Sequence, residues 1–169
     1  MAETLGSTQV PHVQERIGEI VVNLEMLKAC VRAAEADASL NEWGVMCPAF
    51  GPLTAARAMF AGTMYPRMAE IIQLLGSSSL MGLPTEADFA AEISPELEKY
   101  LATNSTGARD RVRLFHLAWD VACSAFGGRQ TLYERFFGGD PVRNTMLLYQ
   151  SYNKSPAMDR VQQFLEWEG

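Results

Sequence analysis

Between Pro11 and Ala38 the apolar residues recur at steps of three and four: Ile17, Ile20, Leu24, Leu27, Val31 and Ala34. That spacing lays them along one face of a helix. Glu15, Arg16, Glu25, Arg32 and Glu35 fall mostly on other faces. At about 1.5 Å of rise per residue the helix is roughly 40 Å long. So long a stripe is buried only by partners of similar length, and the feature therefore predicts a helical bundle. Ser7 or Thr8 is placed to cap its start, and Pro11 is tolerated in the first turn.

The rest of the chain divides into further helices. Asn41 to Pro52 holds two prolines and two glycines besides Trp43, which rules out a continuous helix there. As a connector residue, Trp43 is expected to pack over the bundle. Leu53 to Leu75 reads as helix with Pro66 inside it, which predicts a kink near Met64 and Tyr65, and Gly76 ends the stretch. Thr85, with Asp88 three residues on, marks a helix start, and Ser94 with Pro95 marks another. The longest predicted element runs from about Ser105 to Phe137. It carries Val112, Phe115, Trp119, Ala122 and Phe126 on one face, widened by Leu114, Leu117, Val121 and Cys123, so it is expected to lie centrally. Gly138 and Gly139 end it. Asp140 caps a helix over about Pro141 to Tyr152, and Ser155-Pro156 opens a last one with Met158, Val161, Phe164 and Leu165. No stretch reads as a strand. The expectation is an all-α fold, an antiparallel four-helix-type bundle, with residues 1–169 forming a single helical domain.

Composition narrows the function. The chain is 48% hydrophobic and 20% charged, enough apolar material for a core. Its formal charge of −6 argues against nucleic-acid binding. Cys30, Cys47 and Cys123 are odd in number and widely spaced, neither a disulfide framework nor a metal-binding pattern. No signal-like start and no membrane-length apolar run is present, so the expected compartment is the cytoplasm, with no membrane partner. His12 and His116 are far apart, and His116 reads as a satisfied core or interface histidine. No catalytic residue and no metal ligand is assigned.

One segment breaks local rules. Gly127 and Gly128 lie inside the longest predicted helix, where each costs about 1 kcal/mol relative to alanine. Two reasons stay open: close approach of a neighbouring helix backbone, or of a flat or anionic ligand. Arg129 follows directly, and a guanidinium suits a pyrophosphate. Glu134 and Arg135, near the helix end, are expected to be solvated or in oligomer contacts.

The run from Leu117 to Arg143, with Ala125-Phe126-Gly127-Gly128-Arg129-Gln130 at its centre, resembles the C-terminal signature of the 4-hydroxyphenylacetate 3-hydroxylase family. His12 to Arg16, Ala33 to Ala38, Glu42 to Met46, Met64 to Met68 and Leu83 to Phe89 resemble it in the same order, so the likeness covers about residues 9–166. The resemblance implies the C-terminal bundle of a fold like that of acyl-CoA dehydrogenases. It implies reduced FAD from a separate flavin reductase, and hydroxylation of 4-hydroxyphenylacetate or a similar phenol beside its hydroxyl, using O2. It points to Phe126, Gly127, Gly128 and Arg129 as FAD contacts, with Ser124 and Tyr133 as weaker candidates. It also implies a homo-oligomer, dimer or tetramer. The family's N-terminal and middle domains have no counterpart here, so the chain is expected to be a truncated product or one half of a split enzyme that meets those domains in trans. The alternative is an inactive, stand-alone helical oligomerisation or binding module derived from the family.

Overall fold

The periodic segment at the start becomes α1, Pro11–Ala36. The structure, a computed structural model, describes residues 1–165. Neither Ser7 nor Thr8 caps α1. Its cap is Val10, with no side-chain hydrogen bond, and the Ser7 hydroxyl donates instead to the Ala2 carbonyl at 3.3 Å within a folded first decapeptide. The apolar stripe is also divided. Val13 and Ala34 are buried and Ile20 and Leu27 half-buried, whereas Ile17, Leu24 and Val31 are 37%, 48% and 44% exposed. The inward half repeats at Val13, Ile20, Leu27 and Ala34, every seventh residue, which is how a helix follows its neighbours.

Where no strand was expected, the connector forms a hairpin of β1, Ser39–Leu40, and β2, Met46–Cys47, with Ser39 opposite Cys47. Strands of two residues are too short to show an alternating pattern in sequence. The organiser is Asn41, whose Oδ1 accepts from the N–H groups of Trp43 and Val45 at 3.0 and 2.9 Å. Gly44 supplies the positive φ of 73° that the turn needs. Trp43 does not pack over the bundle: it stands on the hairpin tip, 78% exposed.

The expected kink is a π-helical turn, Phe60–Met64, between α2, Phe50–Met59, and α3, Tyr65–Gly76. Pro66 sits in the first turn of α3, so the widened turn absorbs both its missing donor and its ring. The α1–α2–α3 arrangement is antiparallel. The Ala49 N–H reaches the Ala34 carbonyl at one end, and Arg67 grips Glu19 through two bonds of 2.8 and 2.9 Å further along.

A 3-10 turn, Ser77–Leu80, leads to α4, Glu86–Ala90, and α5, Ser94–Leu101. Thr85 and Asp88 form a reciprocal capping box on α4. The cap of α5 is Ile93 rather than Ser94, which is already helical. The predicted helix from Ser105 to Phe137 is in fact two, α6, Ala108–Ala122, and α7, Ala125–Phe136. Asp140 caps α8, Pro141–Ser151, as expected, and α9 spans Ser155–Leu165. Two apolar clusters centre on α6. Leu80, Phe115 and Ala118 form one, with Met1, Leu5 and Ile72 against it. Phe89, Ala108 and Val112 form the other. No residue of α9 is buried. The architecture is an all-α bundle with one small hairpin, and among the described residues no helix is long and apolar enough to cross a membrane.

Candidate functional site

The break between α6 and α7 is made by Ser124. Its hydroxyl donates to the Asp120 carbonyl at 2.7 Å, satisfying an acceptor at the end of α6. Its oxygen accepts the Gly127 N–H at 3.0 Å, capping α7. One side chain thus closes one helix and opens the next. The first backbone bond of α7 runs from the Gly128 N–H to the Ser124 carbonyl at 3.0 Å. The N–H groups of Ala125 and Phe126 precede it and point out of the helix end, which carries partial positive charge. The glycine pair therefore lies in the first turn of a helix, not in the interior of a longer one.

The two glycines have different surroundings. A β-carbon on Gly127 meets the backbone carbonyls of Val121 and Asp120, the latter at 2.7 Å. The last turn of α6 sits directly on it, so only glycine fits. A β-carbon on Gly128 meets nothing within 4 Å. Close helix approach, one of the two reasons left open by the sequence, accounts for Gly127. It leaves Gly128 without an intramolecular explanation.

Phe126, Arg129 and Tyr133 follow at steps of three and four and share one exposed stripe of α7. Phe126 is 63% exposed, and Tyr133 is half-exposed with its ring stacked on Phe137 at 5.0 Å. Arg129 is exposed and makes no ion pair among the described residues. Gly128 opens towards another side of the helix. What Phe126, Gly128 and Arg129 share is the open end of α7 rather than a single face. Phe126, expected on the buried stripe of a long helix, is carried out of it by the break at Ser124.

The far end of α7 is anchored by an ion pair that the sequence reading missed. The Arg57 guanidinium donates to the Glu134 carbonyl at 2.9 Å and lies 3.8 Å from its carboxylate. Gln130 donates to the same carboxylate at 2.9 Å. Glu134 is therefore mostly buried in a pair, not solvated as its position near a helix end suggested. Burial pushes the Tyr65 phenol upwards, with the Glu134 charge adding to it. Arg57 and Glu134 are separated by 77 positions, a distance at which no local pattern signals a contact.

Elsewhere, an open groove of about 560 Å³ lies between α4 and α6. Its basic groups are engaged. Arg109 pairs with Glu98 at 2.8 Å and covers the Phe89 ring. His116 does not lie in the core: it is exposed, with Nε2 3.0 Å from the Pro84 carbonyl oxygen. Among the described residues no group of three or more His, Cys, Asp or Glu side chains is placed to hold a metal.

Comparison with known proteins adds four findings. A family profile described as 4-hydroxyphenylacetate 3-hydroxylase C terminal matches residues 1–166. The chain is 46% identical over 166 residues to the 4-hydroxyphenylacetate 3-monooxygenase oxygenase component of Thermus thermophilus, covering 98% of this chain and 34% of that protein. It is 43% identical over 165 residues to a probable 4-hydroxyphenylacetate 3-monooxygenase of Bacillus subtilis, again covering 98% and 34%. It superposes with a TM-score of 0.90, at 46% identity, on a crystal structure of the oxygenase component of 4-hydroxyphenylacetate 3-monooxygenase complexed with FAD, covering 97% of this chain and 34% of that one. The chain thus spans about a third of the length of the curated relatives it matches.

Proposed function

The chain belongs to the 4-hydroxyphenylacetate 3-hydroxylase family, matching its C-terminal region, and on that premise we propose that it supplies part of the FAD site of a two-component phenol monooxygenase. The reaction is hydroxylation of 4-hydroxyphenylacetate, or a similar phenol, at the carbon beside its hydroxyl. A separate reductase provides the reduced flavin. The remaining two thirds of such an enzyme, on another chain or the same one, carry the phenol pocket, and the bundle associates with copies of itself.

The observation that carries this reading is the start of α7. Gly128 there is open to the outside, and Phe126 and Arg129 beside it are exposed and, among the described residues, unengaged. These groups fit a dinucleotide. The Ala125 and Phe126 N–H groups and the Arg129 guanidinium suit phosphate oxygens. The Phe126 ring offers apolar surface to a flat ring system. A glycine at 128 lets a ligand come up to the backbone. Gly127 contributes by letting α7 begin hard against α6, and Ser124 by holding that start in place. Reduced FAD, when bound, supplies the oxygen-activating chemistry, and the protein contributes position and exclusion of water.

The test is to combine the purified chain with the N-terminal two thirds of the Thermus relative, add reduced FAD, and measure hydroxylation of 4-hydroxyphenylacetate. Arg129→Ala and Gly128→Val are expected to lower turnover tenfold or more, on the order of one charge-assisted contact, with unchanged melting of the chain. Full activity in both variants sinks the proposed site.

A further inference from the structure

We propose that Arg57 is a positioning residue for the open start of α7: reaching from α2, it clamps the last turn of that helix through Glu134 and so sets the direction in which Gly128 and Arg129 face. The inference rests on the flavin contact proposed above. α7 needs such a clamp, because apolar packing does not orient it. Of its 12 residues only Gly127 is buried. The start is held where Ser124 caps it and Gly127 seats against α6. One seat fixes a position and leaves the axis free to swing. Glu134 lies about 15 Å further along the helix than Ser124. Arg129 is midway between them, so every swing of an unclamped end carries it along.

The clamp has a fixed geometry. The Arg57 Nη2 donates to the Glu134 carbonyl at 2.9 Å. That acceptor lies in the last turn, where a helix leaves its carbonyls unsatisfied and carries partial negative charge. Nη1 lies 3.8 Å from one oxygen of the Glu134 carboxylate, and Gln130 donates to the other at 2.9 Å. The guanidinium carbon stands 5.4 Å from the centre of the Phe137 ring. Gly138 makes room for it: a β-carbon there would come 3.4 Å from the Arg57 Nε. The base of the clamp is firm, since α2 packs against both α1 and α8.

For stability alone the arrangement is a poor device. The side chains of Arg57 and Glu134 are only 23% and 20% exposed, so each gives up most of its hydration. A buried pair roughly offsets that cost and no more. The Arg57 Nε is buried with no hydrogen-bond partner among the described residues. An apolar pair of the same size would avoid both losses. What the guanidinium adds is direction, because its planar donors hold a carbonyl and a carboxylate at set angles. Direction matters in α7, whose open end carries the groups proposed to meet the flavin.

The test joins the chain with the N-terminal two thirds of the Thermus relative and varies the concentration of reduced FAD. Arg57→Ala is expected to raise the KM for reduced FAD about tenfold, the scale of one charge-assisted contact, with kcat within about twofold of wild type. A role in stability alone predicts the reverse, because a smaller folded fraction lowers kcat and leaves KM as it is. Arg57→Met with Glu134→Gln removes both charges without leaving one buried alone, and is expected to give the same rise in KM at unchanged melting temperature. In an Arg129→Ala background, Arg57→Ala is expected to add less than about twofold, since both act on one contact. Hydrogen exchange of the chain without flavin is the second readout. Thr131 to Phe136 are expected to exchange faster in both Arg57 variants, and α6 as in the wild type. An unmoved KM overturns the positioning role, and so does unchanged exchange in α7. Effects that multiply in the double variant give Arg57 a separate action and overturn it too. Full activity in Arg129→Ala and Gly128→Val overturns the flavin contact itself, and this inference with it, even where exchange in α7 responds.

Discussion

α6 and α7 follow one another with two residues between them, and they divide their apolar side chains between core and surface differently. α6 buries Ala108, Val112, Phe115, Ala118 and Ala122 within its own chain. α7 buries only Gly127, leaving Phe126, Leu132, Tyr133 and Phe136 exposed. Both helices are rich in large apolar residues, so hydrophobicity does not separate them. Position does: α6 runs through the middle of the bundle, and Ser124 redirects the chain at the point where that middle ends. The first helix fills the core; the second leaves large apolar side chains on the surface. Four measurements break or sharpen that contrast.

The largest effect is expected from Phe115→Ala on α6. The ring is 1% exposed between Leu80 and Ala118, and its loss leaves a cavity worth about 3–5 kcal/mol. Urea unfolding reads it directly, and a cost below 1 kcal/mol contradicts a core centred on α6.

The glycine pair comes next, because it places both behaviours in adjacent residues. Gly127→Ala forces a methyl group onto the carbonyls of Val121 and Asp120 and is expected to cost about 1–3 kcal/mol. Gly128→Ala fills open space in a helix and is expected to stabilise by up to about 1 kcal/mol. Equal responses in thermal melting erase the distinction between the two positions.

A smaller effect is expected from acid, on the packed side of the molecule. Hydrogen bonds from the backbone and hydroxyl of Thr85 hold the Asp88 carboxyl below its ordinary range. The hydrogen bond from Arg67 lowers Glu19. Both carboxyls titrate lower in the folded chain than in the unfolded one. Their contribution is present above the ordinary carboxylate range and is lost as pH falls through the folded values. The melting temperature is expected to drop as pH falls below about 5, and less steeply in Asp88→Asn. A drop of the same slope in that variant assigns the acid sensitivity to other groups.

The smallest change is expected from Phe126→Ser on α7, within about 0.5 kcal/mol by thermal melting. A loss above 2 kcal/mol means that Phe126 packs within its own chain after all.

Much of this contrast was legible in the sequence, and its limits have identifiable causes. Periodicity found α1, the caps at Thr85 and Asp140, and the disturbance ahead of Pro66, because each is dictated by neighbours in sequence. It carried one helix across Cys123 and Ser124 because Val121 and Ala122 continue the apolar pattern up to the break. The signal against continuity was present in Ser124, a strong helix cap, followed closely by two glycines. The hairpin escaped because a single asparagine, rather than a pattern, holds it. The candidate site residues come from resemblance, and geometry separates them: Gly127 faces its own chain, whereas Gly128 and Arg129 face outwards. Arg57 was invisible, since a partner 77 residues away leaves no local trace.

The π-helical turn between α2 and α3 makes this stretch tolerant of a lost residue in a way that its neighbours are not. Such a turn holds one residue more than an α-helical turn covering the same rise. Deleting one of Phe60 to Met64 therefore permits an unbroken α-helix with α2 and α3 still in phase, whereas straightening the turn with all five residues kept rotates everything after it by about 100°. Arg67 swings away from Glu19, and Ile71, wholly buried, is turned off the core. A single deletion in the turn keeps the phase of the helix; a single deletion in the regular helix beside it does not. The widened turn acts as a setscrew, aligning one half of a long hairpin with the other.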